Sequence, residues 1–390
     1  MTKRISILGS TGSIGLSTVD LVLRHPDRFQ VVGLAAGSNL KVLCGQIQKL
    51  KPKIVSVKSE GEAGELRNLV GRNTVEIVHG VEGASLVASH PEADMVISAI
   101  VGAAGLLPTL KAIQQGKTVG LANKESMVIA GELMRREAVK KNVTILPVDS
   151  EHSALFQCLE GQRREDVERL ILTASGGPFL HKPASEFGQI TVKEALNHPN
   201  WKMGAKITVD SATMMNKGLE VMEARWLFDL PVDKIDICVH PQSIVHSMVE
   251  YIDGSVMAQM GLPDMKVPIA YALSYPERIE TGVPRLDLFQ KRELTFYPPD
   301  FEKFTCLKTA YEVARRGKTS PAVLNAANEE AVAAFLADKI KFTDIPRLID
   351  KTIQAHQPFE VKSLEDVLEA DRWARERTKF QISNSKSQTK

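Results

Sequence analysis

A chain of 390 residues exceeds one ordinary hydrophobic core and suggests two or three domains. With 43% hydrophobic and 25% charged residues it reads as soluble and globular, and Lys+Arg of 49 against Asp+Glu of 47 leaves no field of one sign for nucleic acid or an anionic membrane. Cys44, Cys158, Cys238 and Cys306 stand far apart without a Cys-x-x-Cys pair, which argues against a zinc site or a disulfide framework and fits a reducing cytoplasm.

The opening Met-Thr-Lys-Arg-Ile-Ser-Ile-Leu runs into a predicted strand, leaving no room for a signal or transit peptide. Further β-branched runs follow at Val31–Leu34, Ile54–Val57, Met95–Ile100, Thr118–Leu121 and Val143–Val148. They alternate with helical patterns such as Ile14–Leu23 and Met127–Lys140, as parallel strands joined by crossover helices do. The longest apolar stretch, Met95 to Leu107, is too short and too rich in Gly and Ala for a membrane span. Residues 149–275 read as an α+β region, with strands expected at Leu170–Thr173, Ile207–Val209 and Ile235–Val239 and a hairpin turning on Asp253-Gly254. Residues 276–303, with Pro276, Pro284, Pro298 and Pro299, read as an extended linker. From 304 to 380 the pattern is helical: Gly317 ends one helix, Ser320-Pro321 opens the next, and Ser363 caps a last one whose Leu364, Val367 and Leu368 share a face. Residues 381–390 lack apolar content and are expected to be disordered.

Gly9-Ser-Thr11-Gly12-Ser13-Ile14-Gly15 lies between the first strand and its helix, where glycines let backbone amides approach a pyrophosphate. Its spacing is G-x-x-G-x-x-G, and a ligand-free tight turn is the alternative. The expected architecture is therefore an N-terminal Rossmann-like domain over 1–148, a central domain over 149–275, the linker, and a C-terminal helical bundle. After the second strand, Gly37-Ser38-Asn39 lacks the acidic residue that would bond a ribose hydroxyl, which favours NADP over NAD.

Asn123-Lys124-Glu125-Ser126 ends another strand with an amide, an ammonium and a carboxylate; a surface helix start capped by Ser126 explains the same residues. Asp149-Ser150-Glu151 follows the strand ending at Val148, and the carboxyl ends of such strands are where open α/β sheets bind ligands. Ser175-Gly176-Gly177 and Ser211 through Asn216, Lys217 and Glu220 offer neutral donors and one cation, as a phosphate requires; for Lys217 with Glu220 the alternative is a surface ion pair. Asp149, Glu151 and Glu220 could form an all-oxygen site for Mg2+ or Mn2+, or the first two a metal-free acid and base. Glu223, one turn on, could compete as a ligand, but beside the apolar Ala224, Trp226, Leu227 and Phe228 it reads more simply as a solvent-edge residue. His198-Pro-Asn-Trp201-Lys-Met203-Gly204 reads as a lid, or as a loop whose Trp packs on the core. His240 and His246 could be catalytic, although a lone His beside apolar residues is more often a structural one, and His246 ranks below His198.

These blocks, in this order from Gly9 to at least Tyr275, resemble the 1-deoxy-D-xylulose 5-phosphate reductoisomerase family. The resemblance implies an NADPH-dependent, metal-dependent rearrangement and reduction of that sugar phosphate to 2-C-methyl-D-erythritol 4-phosphate in the non-mevalonate isoprenoid pathway. It implies Thr11, Gly12, Ser13, Ile14, Gly37, Ser38, Asn39, Asn123, Glu125 and Gly204 around NADPH, with Asp149, Glu151 and Glu220 around Mn2+ or Mg2+. It gives Ser175, Ser211, Asn216 and Lys217 to the substrate phosphate, and Lys124, Ser150 and His198 to the oxygenated chain. Trp201 and Met203 fall in a flap near 197–205. Lys124, Glu151 and His198 become the catalytic candidates and a cytoplasmic homodimer the expected form, with neither nucleic acid nor membrane as partner. Ser38 is a departure, since some relatives carry a basic residue there that could meet the 2′-phosphate. Two other readings are a dehydrogenase of the aspartate-semialdehyde type, which needs a nucleophilic Cys, and a non-catalytic nucleotide sensor.

Overall fold

The computed structural model describes residues 2–71, 74–201, 203–291 and 293–385. The chain forms two compact units: the first gathers residues 1–126, 134–153 and 264–284, the second 127–133, 154–263 and 285–390.

The first unit is built on seven strands, β1 (Lys3–Leu8), β2 (Phe29–Ala35), β3 (Ile54–Val57), β4 (Glu76–His79), β5 (Met95–Ser98), β6 (Thr118–Leu121) and β7 (Ile145–Pro147). They pair in the order β4-β3-β2-β1-β5-β6-β7, and every neighbouring pair is parallel. The chain winds outward from β1 to β4 and returns to lay β5 against β1, so a topological switch point opens at the carboxyl ends of those two strands. The β-branched runs are buried on both faces because helices cover both: Ile5, Ile7, Leu8, Val55 and Ile97 have no exposed area. The edge strand β4 escapes the sequence reading because its ends are exposed and it is only four residues long.

The second unit holds β8 (Val167–Ala174), β9 (Ile235–Val239), β10 (Val245–Tyr251) and β11 (Val256–Met260) in the order β11-β10-β8-β9. The hairpin forms, but not on a two-residue turn: Tyr251 N donates to Ser255 O, and of the turn residues only Gly254 has positive φ (+84°). The segment read as a strand at Ile207–Val209 belongs to the helix Ala205–Ala212. Burial of Val209 and Ala212 and the Lys206–Asp210 pair one turn apart (2.9 Å) outweigh the β propensity of Ile-Thr-Val. The helix Met215–Phe228 packs on β8 and β9 and on the helix Thr305–Arg316. The other C-terminal helices are Ser320–Leu336, Asp344–Ala355 and Leu364–Ser385.

Details of this region depart from the sequence reading. Thr319, not Ser320, is the N-cap, and Leu368 is 43% exposed while Val367, Ala370 and Ala374 form the buried face. The last helix runs through 385, into the segment expected to be disordered; residues 386–390 lie outside the described residues. In the linker, Tyr297 exchanges two hydrogen bonds of 2.8 Å with Val239, closing the edge of β9.

Within the second unit Gly131 faces the Trp226 indole: a Cβ there would sit 2.2 Å from its Cδ1. In an exposed helix Gly→Ala stabilises by about 1 kcal/mol. Here Gly131→Ala should instead cost about 1–3 kcal/mol through overpacking. A thermal melt checks the sign, and a raised Tm would refute the close packing.

Candidate active site

The first cluster lies at the carboxyl ends of the parallel strands. Gly9 takes φ +83°, and a Cβ on it would stand 2.4 Å from Ala99 O, so only glycine lets the loop after β1 close on the loop after β5. Gly15 is required by the same turn, its Cβ position being 2.3 Å from Gly9 O. Gly12 is the N-cap of the helix Ser13–Arg24 and puts no side chain over the helix start. The first-turn amides thus face outward between the half-buried Thr11 and Ile14 and the exposed Ser13. Gln46 Nε2 donates to Ser10 O at 2.8 Å, tying the helix Leu40–Leu50 to the glycine loop. After β2, Gly37, Ser38 and Asn39 are exposed, and Asn39 caps that helix through Val42 N.

After β6, Asn123 is the cap, where the surface alternative gave that role to Ser126. Its Oδ1 accepts from Ser126 N at 3.0 Å, while Nδ2 donates to Ile100 O (2.5 Å), Gly102 O (3.0 Å) and Glu125 Oε2 (3.1 Å). One carboxamide therefore braces two loops at the switch point. Asn123, Lys124 and Glu125 are all buried, which rules out the surface helix start. Lys124 Nζ stands 2.5 Å from Asp149 Oδ2, the two side chains being 6% and 9% exposed. Asp149 Oδ1 accepts from Glu151 N at 3.2 Å and lies 3.3 Å from His152 Nδ1. Asp149 thus caps the helix Ser150–Leu159, where a carboxylate meets the positive helix end. Ser150 Oγ donates to Glu151 Oε2 at 2.5 Å.

The second cluster belongs to the second unit. β8 ends at Ala174, followed by Ser175, Gly176 (φ +82°) and Gly177 (φ +67°), the last with its Cβ position 2.5 Å from Ser211 O. Only glycine permits this approach, which brings the Ser175 loop against the end of the helix Ala205–Ala212. Asn216 Nδ2 donates to Glu220 Oε1 at 2.5 Å, and Lys217 Nζ pairs with Glu220 Oε2. The Lys217 and Glu220 side chains are 4% and 1% exposed, so this is no surface ion pair. Glu223, read as a solvent-edge residue, is fully buried, because nearly every face of the helix Met215–Phe228 is covered.

His198 is held at both nitrogens. Nδ1 accepts from Asn200 N (3.2 Å) and Trp201 N (3.0 Å), and Nε2 lies 2.9 Å from Ser175 Oγ. Burial pushes its pKa down to about 4. The neutral ring, accepting at Nδ1, carries its proton on Nε2 and donates it to Ser175. Trp201 and Met203 are half-buried, and Lys202 lies outside the described residues.

Supporting groups that the sequence reading missed stand behind the second cluster. Asp210, 1% exposed, accepts from Asn328 Nδ2 at 2.8 Å and pairs with Lys206, so a C-terminal helix fixes the residue preceding Ser211. Asn328, a polar residue at helical spacing between Leu324 and Val332, was the available signal. Burial raises the pKa of all four thiols, Cys158 to about 11, which leaves no activated thiolate for the semialdehyde-dehydrogenase alternative.

Comparison with known proteins decides the family. Residues 5–131 match the family model described as 1-deoxy-D-xylulose 5-phosphate reductoisomerase, and residues 145–228 the model of that enzyme's C-terminal domain. Residues 260–377 match a model described as DXP reductoisomerase C-terminal domain. The 1-deoxy-D-xylulose 5-phosphate reductoisomerase of Prosthecochloris aestuarii is 59% identical over 374 residues, spanning 96% of this chain and 98% of the relative. That of Chlorobaculum tepidum is 58% identical over 374 residues, with the same 96% and 98% coverage. The chain belongs to the 1-deoxy-D-xylulose 5-phosphate reductoisomerase family. Among solved structures, the reductoisomerase of Zymomonas mobilis in complex with NADPH is 45% identical with a TM-score of 0.92, covering 98% of this chain and 99% of that one. A DOX-P reductoisomerase in complex with NADPH, fosmidomycin and magnesium is 44% identical with a TM-score of 0.93 and the same 98% and 99% coverage.

A second imidazole of this reductoisomerase-family chain, His246 on β10, is also held at a pKa of about 4, chiefly by burial. Against an ordinary value of 6.5, the unfolded chain takes up the proton first as pH falls. The stability His246 contributes is complete above pH 6.5 and is lost between 6.5 and about 4. His246→Asn should therefore make stability less pH-dependent across that window, by up to about 1.4 kcal/mol per pH unit. Urea unfolding through the window measures this, and a curve parallel to the parent's would show that His246 does not titrate there.

Proposed function

We infer that the protein converts 1-deoxy-D-xylulose 5-phosphate to 2-C-methyl-D-erythritol 4-phosphate, oxidising NADPH and requiring a divalent cation, in the non-mevalonate isoprenoid pathway. The observation that carries this reading, beside near-full-length relatives of that activity, is the cluster of Lys124, Asp149 and Glu151 on the same sheet edge as the Gly9–Gly15 loop.

Residues present fit both bound groups. The helix start at Gly12 carries no side-chain cap, which suits a pyrophosphate. Thr11, Gly12, Ser13 and Ile14 are assigned to it, with Gly37, Ser38 and Asn39 toward the ribose 2′-phosphate and Glu125 and Gly204 also assigned to NADPH. Because the Asn123 carboxamide is committed to Ile100, Gly102 and Ser126, Asn123 would serve the cofactor by holding those loops in place. The donors Asp149, Glu151 and Glu220 are all carboxylates, hard oxygen ligands of the kind Mg2+ and Mn2+ take. When bound, the cation supplies charge stabilisation for a developing oxyanion and NADPH supplies a hydride.

The remaining work falls to the chain. Lys124 is assigned to donate to a substrate oxygen and, together with Ser150, to orient the oxygenated chain beside Glu151. Ser175, Ser211, Asn216 and Lys217 are assigned to the phosphate. His198 presents its Nε2 proton toward Ser175 and the substrate. Trp201 and Met203 exclude water when the flap covers the site. Binding of the remote phosphate can supply the energy for that closure. The acceptor of the hydride is the aldehyde formed when the carbon chain has broken and rejoined.

Among the described residues no helix is long and apolar enough to cross a membrane. The same reading takes the protein as a cytoplasmic homodimer acting on a small phosphorylated sugar, without nucleic acid or membrane as partner, and sedimentation at micromolar concentration tests the dimer.

Purified protein should oxidise NADPH only when both the sugar phosphate and Mg2+ or Mn2+ are supplied, and stop on chelation. Folded protein that binds NADPH but never oxidises it would favour the sensor reading. Glu151→Gln should lower kcat on the order of a thousandfold while NADPH affinity stays within about threefold. Retained turnover would remove Glu151 from the site. Trp201→Ala should raise KM or lower kcat about tenfold without lowering Tm. Parental kinetics would exclude a flap.

A further inference from the structure

The loop joining β9 to β10 is a fixed platform. His240 at its start is fully buried: Nε2 accepts from Ile244 N at 3.2 Å, which leaves the proton on Nδ1 to donate to Thr295 O at 2.9 Å. Its ring stacks on Phe296 at 4.7 Å. Gln242 bonds Thr295 from both ends of its carboxamide, Nε2 donating to Oγ1 (2.8 Å) and Oε1 accepting from Thr295 N (3.3 Å). Ser243 is held in the left-handed region at φ +52°, its N donating to His240 O at 3.1 Å. This small, over-determined turn presents two acceptors side by side, Pro241 O and Ser243 Oγ. Asn200 Nδ2 donates to both, at 2.6 and 3.0 Å. A primary amide has two hydrogens on that nitrogen, one for each acceptor; an aspartate in its place would have none.

We propose that Asn200 is a positioning residue for the reaction: its carboxamide hangs the turn at 198–201 on the β9–β10 loop and thereby keeps the Asn200 and Trp201 amides aimed at His198 Nδ1, fixing which His198 nitrogen carries the proton offered to Ser175. The proposal rests on the reading of His198 and Ser175 as substrate-binding groups. It gives Asn200 a specific job. Without the tether the 198–201 segment gains backbone freedom, the two amides leave Nδ1, and His198 can exchange tautomers. The substrate then has to reorder the turn, which appears as weaker binding more than as slower chemistry.

The test compares Asn200→Asp, which keeps the shape and removes both donors, with Ser243→Ala, which removes one acceptor. In steady-state assays with Mg2+, Asn200→Asp should raise KM for 1-deoxy-D-xylulose 5-phosphate about tenfold, with kcat within about threefold and KM for NADPH within about twofold. Ser243→Ala should raise the sugar phosphate KM about two- to threefold. In protein labelled with 15N-histidine, the His198 signals, assigned by their loss in His198→Asn, should change from a pattern with Nε2 protonated to values averaged between tautomers in Asn200→Asp. That spectrum is recorded without substrate, so it tests the tether even if the parent fails to turn over the sugar phosphate, which would sink the functional reading instead. Parental KM in both variants, or a raised KM with an unchanged His198 pattern, overturns the proposal. Should Asn200→Asp fail to fold, Ser243→Ala with the same two readouts decides the matter.

Discussion

Burying a lysine ammonium beside a carboxylate costs several kcal/mol per ion before attraction returns any of it, and this chain does so in each of its units. Lys124 with Asp149 in the first and Lys217 with Glu220 in the second are all less than a tenth exposed. Such pairs are poor investments for stability alone, and apolar residues of the same volume would pack at least as well. What they secure is position. Asp149 is held by Lys124, by its own helix start and by His152; Glu220 is held on one oxygen by Asn216 and on the other by Lys217. Under the proposed reading, carboxylates fixed on several sides would lose little further freedom on taking up a cation or a sugar hydroxyl. The glycine turns at Gly9 and Gly177 serve the same end by bringing backbone where a Cβ would collide.

The strands of the first unit other than β4 were legible because parallel strands buried on both faces must be written as continuous apolar runs, and the turn after β1 because glycine spacing there reports a steric need; the unit's bounds were not, since it includes 264–284. Asp149 and Glu151 were legible for a related reason, lying just past a strand's end. Residues 205–212 were not, since Ile-Thr-Val carries a strand propensity that burial against the C-terminal helices overrides. Nor was the burial of Glu223: the short-range pattern of the helix Met215–Phe228 cannot reveal that neighbours close nearly all its faces. Supporting groups such as Asn328 and Asp210 are set by a contact more than a hundred residues apart and leave only a polar residue at the helical spacing of apolar ones as a trace. The ion-pair reading of Lys217 with Glu220 had the right partners and the wrong environment, because spacing reports neighbours and not solvent.

His198 shows how far local geometry can constrain chemistry. Two backbone amides select its tautomer and burial keeps it uncharged, so near neutrality it acts as a hydrogen-bond donor at Nε2 and not as a cation toward an anionic ligand. Lys217 of the same unit has a carboxylate beside it and His198 has none; under the proposed reading a fixed cation and a neutral donor would then share the ligand.

The first unit is not contiguous in the chain. Its last piece, residues 264–284, returns to the helix Ser13–Arg24, where Lys266 meets Asp20 at 2.7 Å, and Lys3 Nζ reaches Leu273 O at 2.6 Å. A ribosome making this protein therefore releases β1 through β7 well before the segment that packs on β6, β7 and the helix Ser13–Arg24 exists. The parallel sheet must wait, with that surface open, while more than a hundred further residues are synthesised. The first unit is therefore complete only once residue 284 has been made, by which point all four strands of the second unit's sheet have also been synthesised.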